Sequence, residues 1–383
     1  FLALVAFAFP YLKSRFRLLQ VMINNEPSKL QTMSASPYEI KFGDIVHNCE
    51  DAHLDEENGF VLLSCDPGRD KWNTVMGTFI DPSPAGKLYL YHYTDPSAIP
   101  VPITFLDFPG GAQDFHPLGI EYHSPTSTLF VINHASTGSV IEIFTLSPNQ
   151  NPPTAHHTRT LSHPLIWTPN SLIALSSHDL LVTNDHYFRR SDHPWLALLE
   201  TYAVIPGGSV VHIDLRAPEQ NMEITTLAHA PFANGIARLN DTSIAVAALT
   251  ALETRFYDLE LHDNSPPTLT FRSSVQLPFF PDNLHVDGSG ALLIAGHAHP
   301  PSLDKAIMRR LECLEEGESA LGREDCRMDA PSWVSEWREG VGRRDLFVGT
   351  EYGSACTVVR DSRRGTWIVT GLYARGIFAG EGA

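Results

Sequence analysis

Six short apolar runs recur along this chain, and a small or polar cluster precedes each at a nearly constant offset. The runs are Gly59-Phe-Val-Leu-Leu-Ser-Cys65, Leu129-Phe-Val-Ile-Asn-His134, Leu180-Leu-Val-Thr-Asn-Asp185, Ile244-Ala-Val-Ala-Ala-Leu249, Leu292-Leu-Ile-Ala-Gly-His297 and Trp367-Ile-Val-Thr-Gly-Leu372. About ten to fifteen residues before the centre of each lies its cluster. In order these are Glu50-Asp51, Gly119-Ile120, Asn170-Ser171, Asn234-Gly235, Asp282-Asn283 and Ser354-Ala355. A repeat of roughly 50–75 residues predicts a radial array of β-sheet blades. The apolar runs read as the buried inner strands. Alternating stretches such as Lys87–Tyr93, Val140–Leu146 and Ser209–Leu215 read as second or third strands. In a closed ring the clusters converge on the axis, where their carboxylates and amides form an oxygen-rich cation site.

Composition agrees with an all-β reading. The chain has 383 residues, 43% apolar and 19% charged, enough for one large propeller with a sizeable core. Its 28 prolines and 26 glycines fit many turns better than long helices. A formal charge of −17 excludes a nucleic-acid role, because phosphates need a basic face. Gly-x-Ser-x-Gly, HExxH and glycine-rich phosphate-loop motifs are absent from the sequence.

Residues 1–42 read as an apolar leader or anchor followed by a linker, and residues 43–383 as the propeller. Phe1–Leu12 is almost wholly apolar, with Lys13, Arg15 and Arg17 behind it. Twelve residues are fewer than the roughly twenty that span a bilayer. The stretch fits the tail of a signal peptide, a signal anchor, or an apolar end packed on the domain. Helical spacing in Asp304–Glu316, and a second expected turn at Ser332–Arg338, mark a charged insertion over about 302–344, between blades five and six. Among five cysteines, Cys313 and Cys326 bracket part of that insertion and can pair locally, and the odd count leaves one thiol over.

Several strings carry a more specific signal. Cys49-Glu-Asp51, Pro117-Leu-Gly-Ile120, Val131-Ile-Asn-His134, Pro169-Asn170, Thr183-Asn-Asp-His-Tyr-Phe188, Phe232-Ala-Asn-Gly-Ile236, Asp282-Asn283 and Gly296-His297 follow one another from about residue 48 to 300. In order and spacing they resemble the paraoxonase/arylesterase family of six-bladed calcium propellers. That resemblance implies a catalytic Ca²⁺ on the propeller axis, held by Glu50, Asn170, Asn234, Asp282 and Asn283. The set is chemically sound for a hard cation that takes six to eight oxygen ligands. It also implies a second, structural Ca²⁺ at Asp51 and the Ile120 carbonyl. There Ser171 stands where the family has an aspartate, which removes a charge from that site.

The family's histidine pair is broken as well. His134 matches one partner, but Leu118 occupies the place of the other. His116, two residues earlier, shares a face with position 118 if the segment is extended. His297 and His186 end inner strands and can also face the cavity. The expected activity is calcium-dependent hydrolysis of lactones and aryl esters, with His134, Asp282, His116 and His297 as the candidate catalytic groups. Phosphotriesters with good leaving groups are possible side substrates. The partners expected are small-molecule esters or lactones, with no nucleic acid and with membrane association through the N-terminal segment. The expected location is the secretory pathway, extracellular or membrane-anchored. The alternatives are a different chemistry on the same scaffold and a non-catalytic, calcium-stabilised binding propeller, which Leu118 and Ser171 favour.

Overall fold

Each apolar run forms a strand, and each strand lies second from the centre of its own sheet. The computed structural model describes residues 2–217, 222–262 and 265–382. Among the described residues, six sheets of four or five strands make a six-bladed β-propeller. The innermost strands are Cys49–Asp55, Pro117–His123, Pro169–Ala174, Ala233–Asn240, Phe280–Val286 and Ala355–Asp361, and neighbouring ones touch all the way round the ring. The apolar runs were expected innermost, and the structure moves them one place outward. The physical reason is coverage. A second strand is packed on both faces by adjacent blades and so reads as continuously apolar. An innermost strand has one edge on the axial channel and can carry polar residues there.

The clusters therefore lie at strand starts, and they share a local geometry. Pairing between the first and second strand slips at Cys49/Asp51, Pro117/Ile120, Pro169/Leu172, Ala233/Ile236, Pro281/Leu284 and Ala355/Thr357. A bulge of this kind leaves residues out of the ladder and turns their groups away from the pleat. Six bulges at equivalent positions aim Glu50, Asn170, Asn234 and Asp282 at one place.

The N-terminal segment is woven into the same architecture. Tyr38–Lys41 pairs antiparallel with Ile377–Glu381, so the start of the chain supplies the outer strand of the last blade. Met33–Ser34 adds to the outer edge of blade five. Before them runs helix α1, Leu2–Asn24. Its residue Val21 packs on Leu252 and Phe280. Asn25 donates from Nδ2 to the carbonyls of Pro278 at 2.7 Å and Ala298 at 2.9 Å. Among the described residues no helix is long and apolar enough to cross a membrane.

A second helix, α2, spans Pro194–Ala203 in blade three, and a third, α3, spans Pro300–Glu315. The excursion that holds α3 lies inside blade five, between Leu292–His297 and Ser332–Arg338. Ser332–Arg338 is a strand rather than a helical turn. Trp333 and Trp337, four residues apart, share a face in either conformation. Here Trp333 stacks on Phe279 and Trp337 on Phe256, with ring centroids 5.5 and 4.6 Å apart. Disulfides join Cys49 to Cys65 and Cys313 to Cys326, and Cys356 is a buried free thiol.

Candidate metal centre and active site

Five buried side chains from four blades meet at one end of the axial channel: Glu50, Asn170, Asn234, Asp282 and Asn283. Glu50 Oε2 and the Oδ1 atoms of Asn170, Asn234 and Asn283 are buried with no hydrogen-bond partner. Leaving one such oxygen unpaired costs about 1–3 kcal/mol, so four together need an explanation. The Asn283 amide shows how an oxygen is freed. Its Nδ2 donates to Glu50 Oε1 at 2.8 Å and to Thr357 Oγ1 at 3.0 Å, which turns Oδ1 away from the protein partners.

The charge balance points the same way. Burial, reinforced by the Asp51 and Asp282 charges, holds the Glu50 carboxyl well above its ordinary range, and Arg69 offsets this only in part. Crowded buried carboxylates need a proton or a cation to be stable. An all-oxygen set of two carboxylates and three amides fits a hard divalent cation and no soft one. On this test the residues fit Ca²⁺.

The residues implied for a second ion lack the signature seen in the ring. Asp51 accepts from the Ala52 N–H and the Ile120 N–H, both at 2.8 Å, and from Thr357 Oγ1 at 3.0 Å. Burial raises its pKa to about 6, with these three hydrogen bonds opposing. Neither Asp51 nor Ser171 carries a buried oxygen without a partner of the kind found in the ring. A further group of Cys313, Asp325 and Cys326 is no metal site either, because its sulfurs are joined to each other.

Above the oxygen ring opens a cavity of about 980 Å³, counting its mouth, with Glu50, Asn170, Asn234 and Asp282 in its lining. Leu118, Phe232 and Phe280 give it apolar walls, and Leu18 and Met22 of α1 complete one side. The N-terminal helix is thus part of the site.

The four candidate catalytic histidine and aspartate positions separate clearly. His297 lines the cavity, with Nε2 3.0 Å from Asp282 Oδ2 and a buried, unpartnered Nδ1. His134 lies in an adjoining side cavity with Trp72 and Trp167. Its Nε2 is 2.8 Å from the Pro169 carbonyl and its Nδ1 faces the Thr74 hydroxyl. Burial lowers its pKa to about 4, so the ring is neutral, with Nε2–H donating to that carbonyl. His116 is buried against Asp66, Nδ1 to Oδ2 3.0 Å, and lines neither cavity. It does not reach the place that Leu118 fills. His186 is held between Asp185 and the Thr201 hydroxyl. Sequence reasoning passed over Arg190 and Asp304, which also line the cavity. Arg190 lies two residues after the diagnostic Thr183–Phe188 string, but nothing in its own spacing marks it.

Comparison with known proteins agrees with this geometry. The Arylesterase family profile matches residues 76–308. Serum paraoxonase/arylesterase 2 of Canis lupus familiaris is 34% identical over 258 residues, covering 63% of this chain and 68% of that one. The Homo sapiens protein of the same name is 34% identical over 191 residues, 49% of each chain. Serum paraoxonase/lactonase 3 of Mus musculus is 31% identical over 206 residues, 52% of this chain and 54% of that one. Among solved structures, a luciferin-regenerating enzyme superposes with a TM-score of 0.52 at 13% identity, over 91% of this chain and 96% of that one. A protein assigned by family to the gluconolactonases gives 0.51 at 12% identity, over 92% and 97%. These two likenesses concern the fold alone. By its profile match and its paraoxonase relatives, this chain belongs to the arylesterase family.

Proposed function

We propose that the chain is a Ca²⁺-dependent hydrolase of lactones and aryl esters. Membership of a hydrolase family is the starting point. The observation that carries the finer reading is the ring of four unpartnered buried oxygens beside the Asp282–His297 pair.

When bound, Ca²⁺ supplies a positive charge that polarises an ester carbonyl and stabilises its oxyanion. Glu50 and Asp282 balance that charge, and the Asn170, Asn234 and Asn283 oxygens complete the protein's share of the shell. Asp282 accepts the His297 Nε2–H, which fixes the tautomer and leaves a lone pair on Nδ1. That unpartnered nitrogen is the proposed general base, for a water that reaches it when the imidazole turns towards the cavity. Leu118, Phe232 and Phe280 exclude bulk water and receive an aryl or alkyl group. Phosphotriesters with good leaving groups fit the same site, since a phosphoryl oxygen can stand where the carbonyl does.

Two disulfides suit an oxidising compartment, and the relatives' names place them in serum. We therefore assign this chain an extracellular or membrane-surface location. Exposed Phe16 and Ile23 of α1 and Trp195 and Leu199 of α2 give it an apolar face for the latter.

A non-catalytic, calcium-stabilised propeller is the second reading, favoured by the commitment of His134 to Pro169 and Thr74. Hydrolysis of a panel of lactones and aryl esters, with Ca²⁺ and then with chelator, separates the two. Turnover that vanishes with chelator and returns with Ca²⁺ is expected. Calcium-dependent melting without turnover would establish the second reading instead.

A further inference from the structure

Arg190 forms no direct ion pair, although Asp304 shares its cavity and interacts with it through space. The Arg190 Nε is buried and makes no hydrogen bond. Its Nη1 reaches only the Met76 carbonyl, at 3.5 Å, the outer limit for such a bond. Among the described residues no carboxylate stands within ion-pair distance of it. The neighbouring Arg189 does pair, with Asp192 at 2.6 Å. A guanidinium has five donors in a planar fork, and the buried Nε–H of Arg190 is left without an acceptor, which is costly.

Its position suggests what the donors are kept for. Arg190 lines the cavity above the oxygen ring and also the side cavity that holds Trp72 and Trp167. It is the only arginine or lysine in the lining of the main cavity among the described residues. An apolar acyl chain would gain nothing from it, because Leu118 and Phe280 already provide that surface. Asp304, on α3, lines the same cavity. Burial raises its carboxyl, with Arg190 and His297 opposing. Its charge weighs against a dianionic group such as a phosphate monoester and leaves room for a single planar anion.

We infer that Arg190 receives a substrate carboxylate, so that the preferred substrates are esters or lactones whose acyl part carries a carboxylate a few bonds from the scissile carbonyl. Half-esters of short dicarboxylic acids and carboxylated lactones are the chemical class. The inference rests on the proposed reading of the cavity as an ester site. It makes Arg190 a specificity residue that touches the substrate away from the reacting atoms. An arginine fork and a carboxylate are matched in geometry and form paired hydrogen bonds, which an uncharged acyl chain cannot.

The test needs no turnover. Calorimetric binding of glutaric acid mono-anilide is compared with that of pentananilide, its uncharged analogue, in the Ca²⁺-loaded full chain. The anionic anilide is expected to bind about tenfold more tightly or better. Arg190→Gln should abolish that ratio, Arg190→Lys should retain part of it, and Asp304→Asn should raise it. Equal affinities in the wild type, or an unchanged ratio in Arg190→Gln, would overturn the assignment. If Arg190→Gln does not fold, a ratio that Asp304→Asn fails to raise overturns it instead. Failure of the hydrolase reading shows elsewhere, as no cleavage of a neutral aryl butyrate by the wild type, and leaves the anilide ratio to decide Arg190.

Discussion

Gly235 lies against Asn283 with no room for a side chain between them. A Cβ on Gly235 would stand 2.6 Å from the Asn283 Cα and 2.7 Å from the Asp282 carbonyl oxygen. The two innermost strands that carry Asn234 and Asp282-Asn283 thereby approach backbone to backbone at this point. Because the obstacle is backbone, Gly235→Ala must push the strands apart. The expected cost is about 1–3 kcal/mol of stability. The larger effect should fall on the ring, so that the rise in Tm on adding Ca²⁺ shrinks. A variant that melts early but keeps the full Ca²⁺ increment would show that the spacing does not matter to the ion.

The orphan oxygens make a sharper prediction, in which a substitution changes sign with calcium. Asn234 Oδ1 has no protein partner, so without an ion the wild type carries an unpaired buried acceptor. Removing it relieves a penalty of about 1–3 kcal/mol. Asn234→Leu in chelator should therefore match or exceed the wild type in Tm. In excess Ca²⁺ the order should reverse, because the wild type alone gains the full binding free energy. Melts that show the wild type more stable in both conditions would mean that the oxygen serves the apo fold.

Much of this site was legible before the fold. Ligand-type residues were visible because the clusters recur at one position per repeat, and their flanking strings matched a family. What could not be read was that Glu50, Asn170 and Asn234 sit on strands at bulges. A bulge is a slip between two strands, and the sequence of one strand does not contain its partner's register. The apolar runs were placed one strand too far in for a similar reason, since continuous apolarity reports coverage on both faces and not distance from the axis. Tyr38–Lys41 was hidden in the leader because its partner, Ile377–Glu381, lies at the other end of the chain. Leu118 was read directly, but the commitment of His134 to Pro169 depends on a contact across blades.

That commitment leads to a prediction about the missing pair. A histidine placed at position 118 would meet a His134 whose two nitrogens are already engaged. Leu118→His should therefore give no gain in lactone or aryl ester turnover. His297→Asn, by contrast, removes the one cavity histidine with a free nitrogen. It should lower kcat by about 10²–10⁴-fold, the usual range for a general base. Steady-state kinetics on both variants decide the matter, and a rise in Leu118→His with an unaffected His297→Asn would move the base to position 134.

His134 also links stability to pH. Burial depresses its folded pKa from 6.5 to about 4. Between those values the unfolded chain binds the proton and the native state does not, so stability falls as pH drops from 6.5 towards 4. The contribution is on the order of 3 kcal/mol across that window. Urea denaturation at stepped pH should show the slope, and His134→Gln, which can keep a donor to Pro169, should flatten it by close to one proton. An unchanged slope would mean that His134 titrates normally in the folded protein.

Helix α3 is held down by one buried ion pair, and its loss should be felt in the cavity. Arg310 donates from Nε and Nη2 to the two carboxylate oxygens of Asp70, at 2.5 and 2.8 Å, with both residues almost wholly buried. Asn48 adds a further donor to Asp70 at 3.1 Å. Asp70→Asn leaves the guanidinium buried without a counter-charge, which costs about 3–5 kcal/mol. The double variant Asp70→Asn with Arg310→Met removes both charges and should recover most of that loss. Because α3 also supplies Leu303 and Asp304 to the cavity wall, the single variant should raise KM more than it lowers kcat. Urea melts of the single and double variants, read beside their kinetics, test the coupling. Equal destabilisation in both would mean that the pair contributes by packing rather than by charge.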